Sequence, residues 1–330
     1  MSDAEAVIIL NPRAGSGRAG RCWDTVATAL DRIGYRYRLC STDDTASAAR
    51  AIQASHEPVI VAAGGDGTVH AVANLLLQHR PQALLGCIAL GSSNDAHKPV
   101  SSTGCLAGIA VRLDDRRAQR RDVIVLRQTL PDGLLSTRCC LLNASLGFVA
   151  AGNHRFNHPG TLLAALKRRS TDAAIAAIIG QQLLRLRPLD LYMQIDNRPV
   201  CRLRCSNCAL MKSNHFAGDL HFDLPLRPDD GRLGLALWRS IHPLGVALAL
   251  TDALRGRFHA GPSRQACRAR LVRISSAVPF AVEADGEVIF ANRLTAQAVP
   301  RILACCGPGP PLPKSQAADQ ERNYNPVVGP

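Results

Sequence analysis

An apolar run, Val59-Ile60-Val61-Ala62-Ala63, feeds straight into Gly64-Gly65-Asp66-Gly67-Thr68, and a helix-patterned stretch, Val69 to Leu77, follows at once. A buried strand, a glycine turn and a helix start in that order are how α/β proteins build an anion site. The glycines let backbone N–H groups approach an anion with no Cβ between them. The helix N-terminus adds a partial positive charge. Asp66 is the residue a plain phosphate loop does not explain. A carboxylate among phosphates repels them unless a metal bridges the two or the carboxylate handles a proton. The bland alternative is a tight turn with an Asp cap.

The surroundings repeat the pattern. Val7 to Leu10 predicts a short buried strand, followed by the loop Asn11 to Gly17 and a helix ending near Gly34. Tyr35–Cys40, Val59–Ala63 and Leu84–Leu90 predict strands; Thr45–Ser55, Val69–Gln78 and Thr103–Leu113 predict helices. Strand alternating with helix argues a parallel sheet covered on both faces, with the ligand cleft in the loops leaving the strand C-termini. After Arg121 the pattern turns strand-rich: Val123–Gln128, Thr137–Ala144, Leu189–Ile195, Val200–Met211, Leu233–Trp238, Leu271–Ser276 and Glu287–Phe290, interrupted by one helical insert, Thr161–Leu184. That predicts a sandwich-like second domain, and 330 residues suit two domains. From Gly307 the chain is rich in Pro, Gly and Gln and predicts a disordered tail.

Composition narrows the function class. Lys and Arg outnumber Asp and Glu by 39 to 26, which suits anionic partners such as nucleotide phosphates or an acidic membrane surface. Aromatics are only 4%, so stacking platforms for nucleic acid are not expected. The acidic start Met1-Ser2-Asp3-Ala4-Glu5 is no secretory signal, so the 12 cysteines read as reduced thiols of a cytoplasmic protein. Cys201, Cys205 and Cys208, with His215 and His221 downstream, leave a zinc site open, against half-buried strand thiols. No apolar run reaches membrane-spanning length, so membrane contact is expected to be peripheral.

Four further stretches carry possible chemistry. Gly15-Ser16-Gly17-Arg18-Ala19-Gly20 matches a weak dinucleotide fingerprint, although Asn11-Pro12 and the second loop at Gly64 do not belong to it. Gly91-Ser92-Ser93-Asn94-Asp95 offers N–H groups, hydroxyls and an amide to phosphate oxygens, or is a capped turn. Pro228-Asp229-Asp230-Gly231 is either a hard-cation loop or an Asp-Gly turn. Glu283-Ala284-Asp285-Gly286-Glu287 gathers three carboxylates, which are costly to cluster unless they shift pKa or meet cations; the alternative is an exposed hairpin turn.

Together these stretches resemble, in order, the diacylglycerol kinase catalytic-domain family, which includes bacterial lipid kinases and sphingosine kinases. The resemblance runs through Asn11-Pro12 with Gly15 and Gly17, Gly64 to Thr68, Leu90 to Asp95, Asp229-Asp230-Gly231 and Asp285-Gly286-Glu287. It implies an α/β N-terminal domain with a parallel sheet of the NAD kinase and diacylglycerol kinase type, plus a C-terminal β-sandwich-like domain. The implied division is a nucleotide-binding domain at 1–122, a β-rich lipid-substrate domain at 123–295, a segment returning to the first domain at 296–306 and the tail at 307–330.

The implied activity is transfer of the ATP γ-phosphate to a lipid hydroxyl, diacylglycerol-like or sphingoid-like, with Mg2+. Gly64, Gly65, Asp66, Gly67, Thr68, Val69 and His70 would hold the triphosphate. Asn11, Thr42, Ser92, Asn94 and Asp95 match further nucleotide positions, and Asp66 would lie near magnesium and the transferred phosphate. Asp230 with the carbonyls of Arg227 and Arg232 matches a structural magnesium loop. Glu287 matches the catalytic base, with Asp285 as neighbouring candidate.

The chain also departs from the family pattern, with Ser92 for Thr, Lys98 for Arg, His70 for Asn, Ala217-Gly218-Asp219 for a glycine triplet and Ser213-Asn214 for Asn-Gly. Those departures keep a catalytically weak lipid- or nucleotide-binding homologue in play, and NAD kinase is the other alternative. The expected setting is a lipid substrate at the inner membrane face and no nucleic acid; a homodimer is one arrangement the sequence permits.

Overall fold

The computed structural model describes residues 4–98, 104–216, 220–239, 242–257 and 261–311. The expected tail beyond 311 and the segment Ala217-Gly218-Asp219 lie outside the described residues. The chain forms two compact units, Met1–Arg120 with Leu303–Pro330, and Arg121–Ile302.

In the first unit, β1 (Ala6–Leu10), α1 (Arg18–Arg32), β2 (Tyr37–Ser41), α2 (Thr45–Gln53), β3 (Val59–Gly64), α3 (Asp66–His79) and β4 (Leu84–Ala89) alternate. The strands run parallel in the order β2-β1-β3-β4. Every residue of β1 and β3 is buried, as expected of strands covered on both faces. Helix α1 buries Ala19, Trp23, Val26 and Leu30, a single stripe at helical spacing. In register, Leu10 faces both Ser41 and Ala63, and Gly64 faces Ala89. The strand C-termini therefore end level, and the chain order reverses between β1 and β3, where ligands enter such sheets.

One expected helix is absent. Instead of a helix to Leu113 there are β5 (Cys105–Leu106) and β6 (Ile109–Arg112), joined through Ala107-Gly108 with φ of 49° and 76°. Two consecutive positive φ values make a hairpin turn, and Ile109, Val111 and Leu113 are buried at a period of two. Thr103 lies outside the described residues.

β7 (Asp114–Thr129) leads into the second unit, which continues with β8 (Leu135–Cys140), β9 (Asn143–Gly147), α4 (Phe148–Asn157), α5 (Thr161–Arg169), α6 (Thr171–Leu184), β10 (Leu189–Ile195), β11 (Cys201–Met211), the short pair β12 (His215–Phe216) and β13 (Leu220–His221), β14 (Leu233–Arg239), α7 (Pro243–Leu254), β15 (Arg264–Ala269), β16 (Leu271–Ala284) and β17 (Glu287–Gly307). The helical insert breaks at Ser170, whose hydroxyl caps α6 by accepting from Ala173 N. Helices α4 and α7 were not foreseen, and β17 is far longer than the predicted strand.

β11 and β16 shape this unit. Each gives its first half to β10 and its second half to β9, with register shifts at Cys205/Asn207 and Ser275/Phe280. Bulges bend strands, so one pair of strands serves two layers. Between the layers lies a core including Leu126, Leu146, Met193, Leu210, Leu235, Phe280, Val282 and Leu294. Phe148, Val246 and Leu250 pack with Met211 and Trp238 in a second cluster against α4 and α7.

Candidate active site

In the first unit, the loops leaving β1, β3 and β4 are stitched together. Asn11 N donates to Ala63 O at 3.0 Å and Leu90 N to Gly64 O at 2.8 Å, extending the sheet pairing into the loops. Asn11 Nδ2 donates to Thr68 Oγ1 at 3.3 Å, and Arg18 Nη1 donates to Gly91 O at 3.2 Å. Gly65 and Gly91 pass backbone against backbone: a Cβ on Gly91 would stand 2.3 Å from the Gly65 Cα, so no larger residue fits at Gly91. Asn94, at φ 51°, accepts from Gly91 N and donates to Gly91 O, closing its own loop. Asp66, the first residue of α3, accepts Ala96 N at 3.1 Å through Oδ1 and so ties the β3 loop to the β4 loop.

The other expected nucleotide positions fall around this cradle with differing exposure. Thr42 leaves β2, donates its N–H to Leu10 O and accepts from Asp44 N; the Arg13–Asp43 ion pair at 2.7 Å joins the β1 and β2 loops. Ser92 and Gly67 are exposed, whereas Asp95 is buried and paired with Lys98 at 2.8 Å. Val69 and His70 are buried on α3, where Asn74 Nδ2 stands 3.4 Å from His70 Nε2. His97, two residues past Asp95, has neither ring nitrogen hydrogen-bonded among the described residues; burial, then the Arg112 charge, lowers its pKa to about 4.

The carboxylates at 283–287 belong to the second unit. Asp285-Gly286 is a two-residue hairpin turn between β16 and β17, both φ values positive. An exposed hairpin turn is only the bland alternative for this stretch, and Asp285 and Glu283 are in fact buried. Asp285 accepts N–H bonds from Leu141, Leu142 and Asn143 at 2.7 to 3.1 Å, and the Cys140 thiol lies 3.3 Å away. Its carboxylate anchors the turn. Glu283 accepts from Gly286 N and Ser145 Oγ, each at 2.8 Å. Burial pushes its pKa up to about 7, against the pull of those two bonds. Glu287 is exposed and leaves its side chain outside this network, while its carbonyl accepts from Arg138. Arg138, 8% exposed, also donates to Val282 O and Gln128, so it clamps both strands of the turn. Neither Glu283 nor Arg138 was singled out by role from the sequence; the only signal was polar residues inside strand patterns.

The expected magnesium loop is occupied from within. Arg227 O and Arg232 O both accept from Lys212 Nζ, at 2.6 and 2.7 Å, and Asp230 Oδ1 stands 3.4 Å from the same nitrogen. Burial acts to raise the Asp230 pKa, but the Arg232 N–H and the Lys212 and Arg268 charges outweigh it and hold the carboxyl below its ordinary range. A divalent magnesium ion asks for near-octahedral oxygens at roughly 2.1 Å. Carbonyls gathered around an ammonium do not fit it. Among the described residues no three His, Cys, Asp or Glu side chains are grouped to hold a metal. Cys205 and Cys208 instead pack in the apolar core, where burial raises Cys205 to about 12. The 12 cysteines, all among the described residues, form no disulfide.

The comparisons with known proteins agree with this layout. Residues 5–126 match the family described as diacylglycerol kinase catalytic domain, and residues 148–307 match the YegS C-terminal NAD kinase beta sandwich-like domain. A diacylglycerol kinase of Staphylococcus haemolyticus is 24% identical over 295 residues, 86% of this chain and 82% of its own. One of Staphylococcus saprophyticus is 23% identical over 296 residues, covering 86% and 88%. The fold is that of a solved diacylglycerol kinase from Bacillus anthracis, with a TM-score of 0.65 at 16% identity over 93% of this chain and 98% of the other. With both halves matched in order, the chain belongs to the diacylglycerol kinase catalytic-domain family.

Proposed function

We propose that this protein is an ATP-dependent lipid kinase that transfers the γ-phosphate to a lipid hydroxyl, diacylglycerol-like or sphingoid-like. The observation that carries the reading is the contact of Gly65 with Gly91 at the level strand ends, beside the N-terminus of α3. It sets two glycine loops and a helix start where backbone N–H groups can face one anion. Phosphoryl transfer is mostly positioning and charge neutralisation, so a preformed cradle supplies much of what the reaction needs.

Residues Gly64 to His70, with Asn11, Thr42, Ser92, Asn94 and Asp95, hold the nucleotide. Asp66 stands at the transferred phosphate. Magnesium carried with ATP supplies neutralisation of the phosphate charge. Glu287 accepts the lipid hydroxyl proton. Its exposure supports that role over Asp285, whose two oxygens are already taken by N–H donors. The protein meets its substrate peripherally: no helix among the described residues is long and apolar enough to cross a membrane. Leu162, Leu184, Leu244 and Leu254 are exposed on or beside α5, α6 and α7, and Lys167, Arg168 and Arg169 close α5. Apolar and basic side chains in that mixture suit an anionic bilayer surface.

Incubation with labelled ATP, magnesium and a panel of diacylglycerol, sphingoid and related lipids tests the reading. Label in an organic-phase product is expected. Label in NADP, or tight ATP binding with no transfer to any lipid, overturns it.

A further inference from the structure

In the second unit, Lys212 follows the last residue of β11, and its side chain is only 3% exposed. Its ammonium carries three N–H donors. Three oxygens lie within ordinary reach: Arg227 O at 2.6 Å, Arg232 O at 2.7 Å and Asp122 Oδ2 at 2.9 Å, with Asp230 Oδ1 beyond them at 3.4 Å. The two carbonyls come from either side of the turn Pro228–Gly231, so the turn wraps around the nitrogen. Asp122, whose side chain is fully buried, also accepts from Gly231 N at 2.7 Å and Arg301 N at 2.9 Å, and its own N–H donates to Pro228 O at 2.8 Å. Arg268 neutralises the outer oxygen of Asp230 at 2.5 Å. One buried cation thus gathers β7, the end of β11, the 227–232 loop and β17.

We propose that Lys212 is a built-in cation that takes the place of a bound divalent ion in this loop. Two converging carbonyls and two carboxylate oxygens are the donor set a hard cation would use, and the Lys212 nitrogen satisfies them at hydrogen-bond rather than metal–oxygen distances. A divalent ion and the ammonium cannot share the centre, because their charges repel at contact. The second unit therefore holds its loop without metal, and removing Lys212 opens a site of matching chemistry for magnesium or calcium. The inference concerns folding of the loop and is independent of the reaction proposed above.

The test is thermal unfolding of the full chain without nucleotide, in EDTA and in millimolar MgCl2 or CaCl2 at matched ionic strength. For the wild type, no metal-dependent rise that Asp230→Asn abolishes is expected. Lys212→Ala is expected to melt several degrees lower in EDTA and to recover part of the loss with magnesium or calcium, since it leaves two carboxylates and two carbonyls facing an empty centre. Lys212→Met fills the same space without charge and is expected to melt lower with no recovery. Should Lys212→Ala fold only with metal, the proposal stands; should it not fold at all, the wild-type and Asp230→Asn pair decides. A saturable wild-type rise lost in Asp230→Asn, or a Lys212→Ala protein as stable as wild type in EDTA, overturns it.

Discussion

Replacing Glu283 with Gln should change how stability depends on pH, and the size follows from its surroundings. Glu283 is 4% exposed, with one oxygen on Gly286 N and the other on Ser145 Oγ. Burial raises its pKa from 4.5 to about 7, a rise the nearby Asp285 charge reinforces and Arg138 opposes. A carboxyl with a raised native pKa binds more protons folded than unfolded throughout that window. Stability therefore falls as pH rises from the unfolded to the folded value, and is flat on either side. At about 1.4 kcal/mol per unit, the loss is on the order of 3 kcal/mol. Gln stays neutral, so Glu283→Gln should lack this slope. Urea unfolding of both proteins at intervals from acidic to alkaline pH gives the difference curve, in which every other titrating group cancels. The wild type should lose about 3 kcal/mol relative to the variant between the two pKa values. Parallel curves refute the reasoning, because they place the carboxyl in water or leave it ionised at no cost.

His97 should show the opposite sign. Its native pKa is depressed from 6.5 to about 4, so the folded state binds fewer protons in that window and loses stability as pH falls; His97→Leu should remove that acid-side loss, measured by the same difference curve. Gly91→Ala forces a Cβ against the Gly65 Cα and should cost about 1–3 kcal/mol in urea unfolding. Gly67→Ala meets no atom of the described residues outside its own helix within 4 Å, so it should keep or gain stability by up to about 1 kcal/mol while ATP affinity falls in calorimetry; unchanged affinity would remove Gly67 from the phosphate cradle. Glu287→Gln should lower lipid phosphorylation by roughly 10²–10⁴-fold with ATP binding retained, if the exposed carboxylate is the proton acceptor.

The first unit was legible because its signals are local. A buried strand, a glycine turn and a helix start sit within a dozen residues of one another, and their pairing follows from the parallel sheet. The Thr103–Leu113 stretch misled because its apolar residues satisfy both periods; the Ala107-Gly108 turn, with two positive φ values, decided for strands. The second unit depended on distant partners. Nothing near Lys212 in the sequence says that Asp122 and the carbonyls of Arg227 and Arg232 will close around it. Nor does the spacing of Glu283, Asp285 and Glu287 say which will be buried: Asp285 and Glu283 point into contacts with residues 141–145, and Glu287 is left exposed.

Transfer of labelled γ-phosphate to lipid, compared between wild type, Asp66→Asn and Glu287→Gln at equal ATP occupancy, tests the central claim most directly. The account predicts a labelled lipid from the wild type and a severe loss in both variants. Equal product from all three, or none from the wild type with any lipid, would contradict it.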